Sequence, residues 1–408
     1  MTGRMWTRAA AVGVVALVAG CASTVTGVAV KAPGDSGGDG VDVAQLTTGN
    51  YPIKPRAPLG VAGNPKRGGL AEGRRMAGFV VGPWQTDPAL VKFEQFNTGV
   101  MKGGDSVNAL LGAPIGDGLA GHNFVAGFSS ARHTTAGPYK GLINVVLRLA
   151  TPADASAAAT DMAAKSGSLS LPFSEAPTPT RPTSIPRYPG TAAVGYSWTP
   201  SEGSTEPPRS AVIALTAHGS YVLAQAADSA AGPDNAAQMV ATTLDLQQAL
   251  IDKFTPTPVD QLPQLPLDPT GLLARTLPPK GADESTDDGV YEPHGDLHFQ
   301  DDAAHEEALF NSVGLQQASF TLTSAVYQTP DAGSADRVVA DFAAVATDFD
   351  KLRPAGSITG MPNAKCFAAS LGFYCVARFD RYAFTAQNEQ LGAVHQMIAA
   401  QYRILSGK

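Results

Sequence analysis

Three cysteines, seven histidines and 16% charged residues are a sparse chemical inventory for a chain of 408 residues. The charged fraction falls below the quarter or so usual in globular proteins. No lysine- or arginine-rich cluster offsets the formal net charge of −7, so nothing in the chain suits nucleic acid. The apolar stretch Ala9 to Ala19 has only eleven residues, whereas a membrane-spanning helix needs about 20. Catalytic signatures are also missing. No G-x-S-x-G stands between a strand and a helix, no S-x-x-K or H-E-x-x-H occurs, and neither a P-loop nor a G-x-G-x-x-G after a strand is found. These gaps point away from an enzyme, and the chain implies no cofactor.

What is there begins with the leader. Arg4 and Arg8 form a positive start, and Ala9 to Ala19 suits the apolar region of a secretory signal. Val18-Ala19-Gly20-Cys21 then resembles the bacterial lipobox, in which small residues admit the peptidase and the thiol accepts a diacylglyceryl group. Residues 1–20 read as a lipoprotein signal peptide and Cys21 as the lipidation site. That makes the membrane the first partner: each buried methylene contributes about 0.8 kcal/mol, and two acyl chains anchor stably. The expected location is the outer face of the bacterial cytoplasmic membrane, within the cell envelope.

Cys366 and Cys375 stand in KCFAASLGFYC, which reads as two strands around a tight turn near Leu371-Gly372. Facing positions bring the Cβ atoms within disulfide distance, and an exported protein meets an oxidising compartment. Such a bridge stabilises by about 2.5–3 kcal/mol on the chain-entropy model. The spacing is not C-x-x-C and Lys365 is the one basic neighbour, which favours a structural bridge over a redox-active pair.

Residues 21–70 are rich in Gly, Pro, Ser and Asp and read as a flexible lipidated tether. Seven prolines between 256 and 279 mark residues 255–289 as a linker, since proline fixes φ and removes a donor. The flanking regions, 71–254 and 290–408, look alike. LINVVLRLATPADASAAATDMAAK and SFTLTSAVYQTPDAGSADRVVADFAAVATDF both read as strand then helix, with Thr151-Pro152 and Thr329-Pro330 as helix starts. Hairpins turning at His218-Gly219 and Asp380-Arg381 precede a last helix in each. There Gln238-Met239-Val240-Ala241 matches Gln396-Met397-Ile398-Ala399. KFEQFNTG and EALFNSVG read as matching helix ends capped by Gly99 and Gly314. The fold class is α+β: two similar tandem domains, each an antiparallel sheet with helices packed on one face.

Taken together, the lipobox, LTTGNYP, GPWQTDPAL, LHFQDDAAHEEALF, YQTPDAGSADRVV and KCFAASLGFYCVARFDRYAF resemble a family of mycobacterial and related actinobacterial cell-envelope lipoproteins. The resemblance runs from about residue 43 to the end. It implies a duplicated α+β domain of unknown function, with no catalytic residues to carry over.

EPHGDLHFQDDAAHEE, residues 292–307, is the one histidine- and acid-rich segment. His294, His298 and His305 among carboxylates suit a transition metal and would support a metal-dependent hydrolase. A strand through 294–298 would put 294 and 298 on one face, with His305 opening a separate helix. Asp301 or Asp302 fits a helix N-cap. This reads as a solvated edge with a capped helix, not as a metal centre. His395 sits beside the apolar stripe of the last helix, a structural placement. The function read from the sequence is thus a non-catalytic binding module, carrying a small-molecule or lipid ligand or docking an envelope protein partner. Intact-mass analysis of membrane-extracted protein should find a chain beginning at acylated Cys21. Cys21→Ala should release it from membranes; unchanged membrane association would remove the anchor.

Overall fold

The run KGLINVVLRL has no exposed face: from Gly141 to Leu149 both alternating sets of side chains, Asn144 and Arg148 included, are almost wholly buried. A strand of this kind must be covered on both sides. In the computed structural model, which describes residues 40–171, 174–199, 207–279, 285–349 and 351–408, it is. The signal peptide and Cys21 lie outside the described residues.

The first half opens with α1 (Pro65–Ala77), α2 (Pro83–Thr86), β1 (Lys92–Phe93), β2 (Gly99–Met101) and α3 (Gly104–Leu111). The hairpin β3 (Phe124–His133) and β4 (Lys140–Leu149) leads into α4 (Pro152–Ala164), then a ribbon of β5 (Ser168–Leu169) and β6 (Thr178–Pro179). There follow β7 (Arg181–Pro182), β8 (Ala192–Trp198), β9 (Arg209–His218), β10 (Tyr221–Ser229) and α5 (Pro233–Ile251). The second half contains β11 (Gly289–Tyr291), α6 (Pro293–Leu297), α7 (Ala303–Val313), β12 (Gln317–Thr321), β13 (Ser324–Gln328) and α8 (Ala332–Ala344). It closes with β14 (Arg353–Pro354), β15 (Lys365–Ala369), β16 (Gly372–Phe379), β17 (Tyr382–Asn388) and α9 (Leu391–Ser406).

The duplication is explicit in the strand orders. The first sheet runs β1-β3-β4-β10-β9-β8-β7, with β2 also on β3; the second runs β11-β12-β13-β17-β16-β15-β14. Every pairing in these sheets is antiparallel. The α+β class and the tandem plan hold, but the placement of helices on one face does not. Val146, Val212 and Leu223 pack under α1 and α5, while Val145, Ile213 and Val222 pack under α3 and α4. In the second half α9 covers one face and α7 with α8 the other. Each half is a three-layer sandwich.

Local starts and stops follow the sequence in part. Thr151 caps α4, its hydroxyl accepting from the Asp154 amide, with Pro152 at the first helical position. Thr329 does not play that part. Asp331 caps α8, accepting from the Ser334 amide, and the Thr329 hydroxyl donates to backbone carbonyls instead. Asp outcompetes Thr there because its carboxylate also favours the helix dipole. Gly314 is the left-handed C-cap of α7, but Gly99 lies in β2, and residues 92–99 form strand, 3₁₀ turn and strand instead of a helix end.

Neither the tether nor the linker is free over its described length. Val41, Leu46 and Tyr51 are buried in the second core with Leu272 and Leu277, and α1 begins at Pro65, capped by Asn64. Among the linker residues, Leu262 and Leu273 are also buried. Proline denies this segment a hydrogen-bond ladder, not burial, and side chains take over its backbone groups. Glu72 accepts from the Thr257 amide, Asp268 from the amides of Leu273 and Ala274, and Gln401 of α9 from the Leu277 amide. The first half uses the same device: Gln247 of α5 accepts from the Val81 amide and donates to the Phe79 carbonyl.

Gly360 shows where the segment from Val41 to Tyr51, a strap packed into the second core, needs glycine. It has φ +78°, and a Cβ there would lie 2.7 Å from the Asp42 carbonyl oxygen. Its position in the first half is held by Arg187, also left-handed at φ 67°, where among the described residues no strap crosses. Leu277→Ala should destabilise the chain by about 2–5 kcal/mol in denaturant titration, as for a core leucine. A free spacer would stay within about 0.5 kcal/mol.

Candidate functional site

The halves belong to one compact unit, and a buried arginine joins them. Arg132 on β3 is 1% exposed. Its guanidinium donates to the Val91 carbonyl at 2.7 Å in its own half. In the other half it donates to the carbonyls of Asp301 at 2.9 Å, Leu297 at 3.2 Å and Gln300. Leu297 ends α6, and a cation there satisfies carbonyls that the short helix leaves unpaired. Trp84 lies 5.0 Å from the guanidinium carbon, a cation–π contact. Burial lowers the Arg132 pKa to about 10, so it remains charged at neutral pH.

The 294–298 segment is the helix α6 with His298 as its C-cap, not a strand. Pro293 at the first helical position favours that outcome. His294 Nε2 lies 3.0 Å from the Val80 carbonyl, and His298 Nε2 lies 3.0 Å from that of Ala77. Carbonyls only accept, so His298 Nε2 carries the proton and Nδ1 accepts from the Ser130 hydroxyl at 2.8 Å. Burial holds His298 well below the ordinary histidine pKa. Ser130 and His298 resemble a nucleophile and base, but both are fully buried and no substrate can reach them. His305 sits on α7 and pairs with Asp341 at 2.8 Å. The three histidines therefore do not form a ligand set. Asp302, not Asp301, caps α7.

Beside this joint opens a cleft of about 390 Å³. Phe93, Gln95 and Thr98 of the first half face Asp296, Phe299, Gln300, Thr321, Ser324, Tyr327, Tyr374, Thr385 and Gln387 of the second. Asp287 and Asp288 also line it, and among the described residues no lysine, arginine or histidine does. Asp296 is fully buried and accepts from Gln300 Nε2 at 2.6 Å; burial raises its pKa to about 7. Asp287 accepts from the Val100 amide at 2.7 Å and is likewise raised by burial. The Ser324 hydroxyl is buried with no hydrogen-bond partner among the described residues. Carboxyls, hydroxyls and amides between aromatic rings can hold a polar ligand; no accessible nucleophile–base pair adjoins them. The cleft escaped sequence reading because its walls come from residues some 200 positions apart.

Two other motifs lie away from the cleft. Gly116-Asp117-Gly118-Leu119-Ala120-Gly121 has dinucleotide-loop spacing but follows the helix α3. A Cβ on Gly118 would lie 2.4 Å from the Met162 amide, so close packing against α4 accounts for it. The Cys366–Cys375 bridge is present, its cysteines directly opposite across β15 and β16.

Glu306, behind Arg132 and 6% exposed, is raised to about 9 by burial and by Asp302 and Asp301. Two carboxyls that titrate higher when folded keep protons the unfolded chain has released. Stability therefore falls as pH rises from the ordinary carboxylate range to about 7 for Asp296 and about 9 for Glu306. Glu306→Gln should stabilise the protein on the order of 2–4 kcal/mol near pH 7.5. The gain should vanish near pH 4.5. Urea titrations at both pH values check the difference.

Comparison with known proteins gives a family and no activity. Residues 59–267 match the N-terminal domain of unknown function DUF7373, and residues 272–408 match its C-terminal counterpart. No curated protein matches. Among solved structures, the extracellular domain of PknH from Mycobacterium tuberculosis is 16% identical, covering 34% of this chain and 70% of that one. Its TM-score of 0.26 is too low to carry an argument. The two matched regions coincide with the two sandwiches and together span most of the chain: the protein belongs to the DUF7373 family.

Proposed function

We propose that the protein is an exported, lipid-anchored cell-envelope protein that binds a small polar ligand in the cleft between its halves, without catalysing its conversion. The leader and lipobox ending at Cys21 support the anchor. The single observation behind the binding role is a cleft walled by both halves with hydroxyl, amide and carboxyl groups between aromatic rings. Clefts between packed units are frequent ligand sites. An acyl chain in this one would leave the buried Ser324 hydroxyl without a partner and lie against the Asp287 and Asp288 carboxyls, so the ligand is polar.

Docking of an envelope protein is a second reading, and one observation favours it. Phe96 and Leu371 are 95% and 90% exposed, and Phe96 directly follows cleft-lining Gln95. Native mass spectrometry of the full chain separates the two readings. A retained small molecule that is lost at least about tenfold in Thr323→Trp, a change at the cleft wall, supports the carrier. Retention unaffected by Thr323→Trp overturns the cleft as the site. Turnover of ester, peptide or glycan substrates by the metal-free protein would overturn the non-catalytic reading.

A further inference from the structure

The disulfide has a third companion. One ring nitrogen of His395 on α9 and the sulfurs of Cys366 and Cys375 all lie within 4.8 Å of one another. Among the described residues no other group of histidine, cysteine and carboxylate side chains has metal-ligand spacing. The His395 ring lies beside Gly356, and its Nε2 is buried with no hydrogen-bond partner among the described residues. A buried imidazole nitrogen without a hydrogen-bond partner has a lone pair that a metal can take.

The duplication supplies an internal comparison. Cys366 faces Cys375 across β15 and β16 as Ala193 faces Ala214 across β8 and β9. Aligning Gln396-Met397-Ile398-Ala399 with Gln238-Met239-Val240-Ala241 places His395 opposite Ala237. All three positions are thus alanine in the first half, where Ala214 and Ala237 are core residues with Ala193 packed against them. The sandwich closes without these groups. A structural bridge would call for the two cysteines but not for the histidine.

We propose that Cys366, Cys375 and His395 form a redox-gated site for a thiophilic divalent cation of the zinc type, closed while the disulfide is intact and opened by a dithiol reductant. In the first step the dithiol breaks the S–S bond by two exchanges. It becomes a disulfide, and both cysteines become thiols. In the second the cation displaces one proton from each thiol to solvent, and no electrons move. Two thiolates and a neutral imidazole balance a divalent charge to zero, which suits the apolar core that holds both cysteines. Tetrahedral zinc binds sulfur at about 2.3 Å and nitrogen at about 2.0–2.1 Å. Half-buried His395 marks the side from which the ion enters and a water completes the shell.

Cobalt(II) added to the full chain, before and after anaerobic reduction with a phosphine, tests the site. The oxidised chain should bind none. The reduced chain should bind one ion, with a thiolate-to-cobalt charge-transfer band that zinc displaces. His395→Ala should weaken binding at least about tenfold with both thiols still titratable, and Cys366→Ser with Cys375→Ser should abolish it. A folded, reduced chain with two free thiols and no such band overturns the proposal. So does His395→Ala with unchanged affinity. Should reduction unfold the second half, zinc must restore its thermal transition, and failure to do so overturns the proposal as well.

Discussion

The Arg132 guanidinium is the constraint on which the joint and the cleft depend. A charge removed from water must find partners or it destabilises the fold by several kcal/mol. Here one backbone carbonyl comes from its own half and three from the end of α6 and just beyond. Those three can be supplied only when the two sandwiches are docked. The same docking places Asp296, Phe299 and Gln300, all within or just after α6, on the cleft wall opposite Phe93 and Gln95. The neutral state of His298 follows from its own burial, with His294 and, less, this cation adding to it. Recognition of one half by the other therefore creates the space in which a third molecule can sit.

The two halves keep one strand order and differ in what they attach to it. Gln247 and Gln401 each fix an incoming backbone segment against the last helix. The second half alone accepts the strap from Val41 to Tyr51, and it carries glycine where the first half carries Arg187. Cysteines and a histidine stand where the first half has alanines. Duplication leaves two copies of a scaffold that folds with either set, so changes accumulate on one copy at low risk to the core.

Much of this was legible. The facing cysteines, the Thr151 cap, the hairpins and the matching helix tetrads all rest on local rules that the structure keeps. The layer count was legible in part: AVIALTA is apolar on both alternating sets of positions, as is GLINVVLRL but for Asn144 and Arg148, which means cover on both faces. A further repeat was present in RPTSIPRYPG and RPAGSITGMPN, whose Ile185–Tyr188 and Ile358–Met361 bridges coincide. What could not be read is long-range. A proline-rich stretch looks like a spacer until Gln401 and Glu72 are seen to pair its backbone. A short acidic, histidine-bearing segment looks like a solvated edge until Arg132, some 165 residues earlier, draws it inside.

The strap carries a consequence for how the chain comes into being. Val41, Leu46 and Tyr51 are made some 350 residues before Met397, Ile398 and Tyr402, yet all six share one core. Domains usually fold as units, the N-terminal one first. The second sandwich cannot do so here, since part of its core is made before the first sandwich and must wait through the synthesis of both. Closure of a loop of some 350 residues is entropically slow but not much costlier than that of a shorter one.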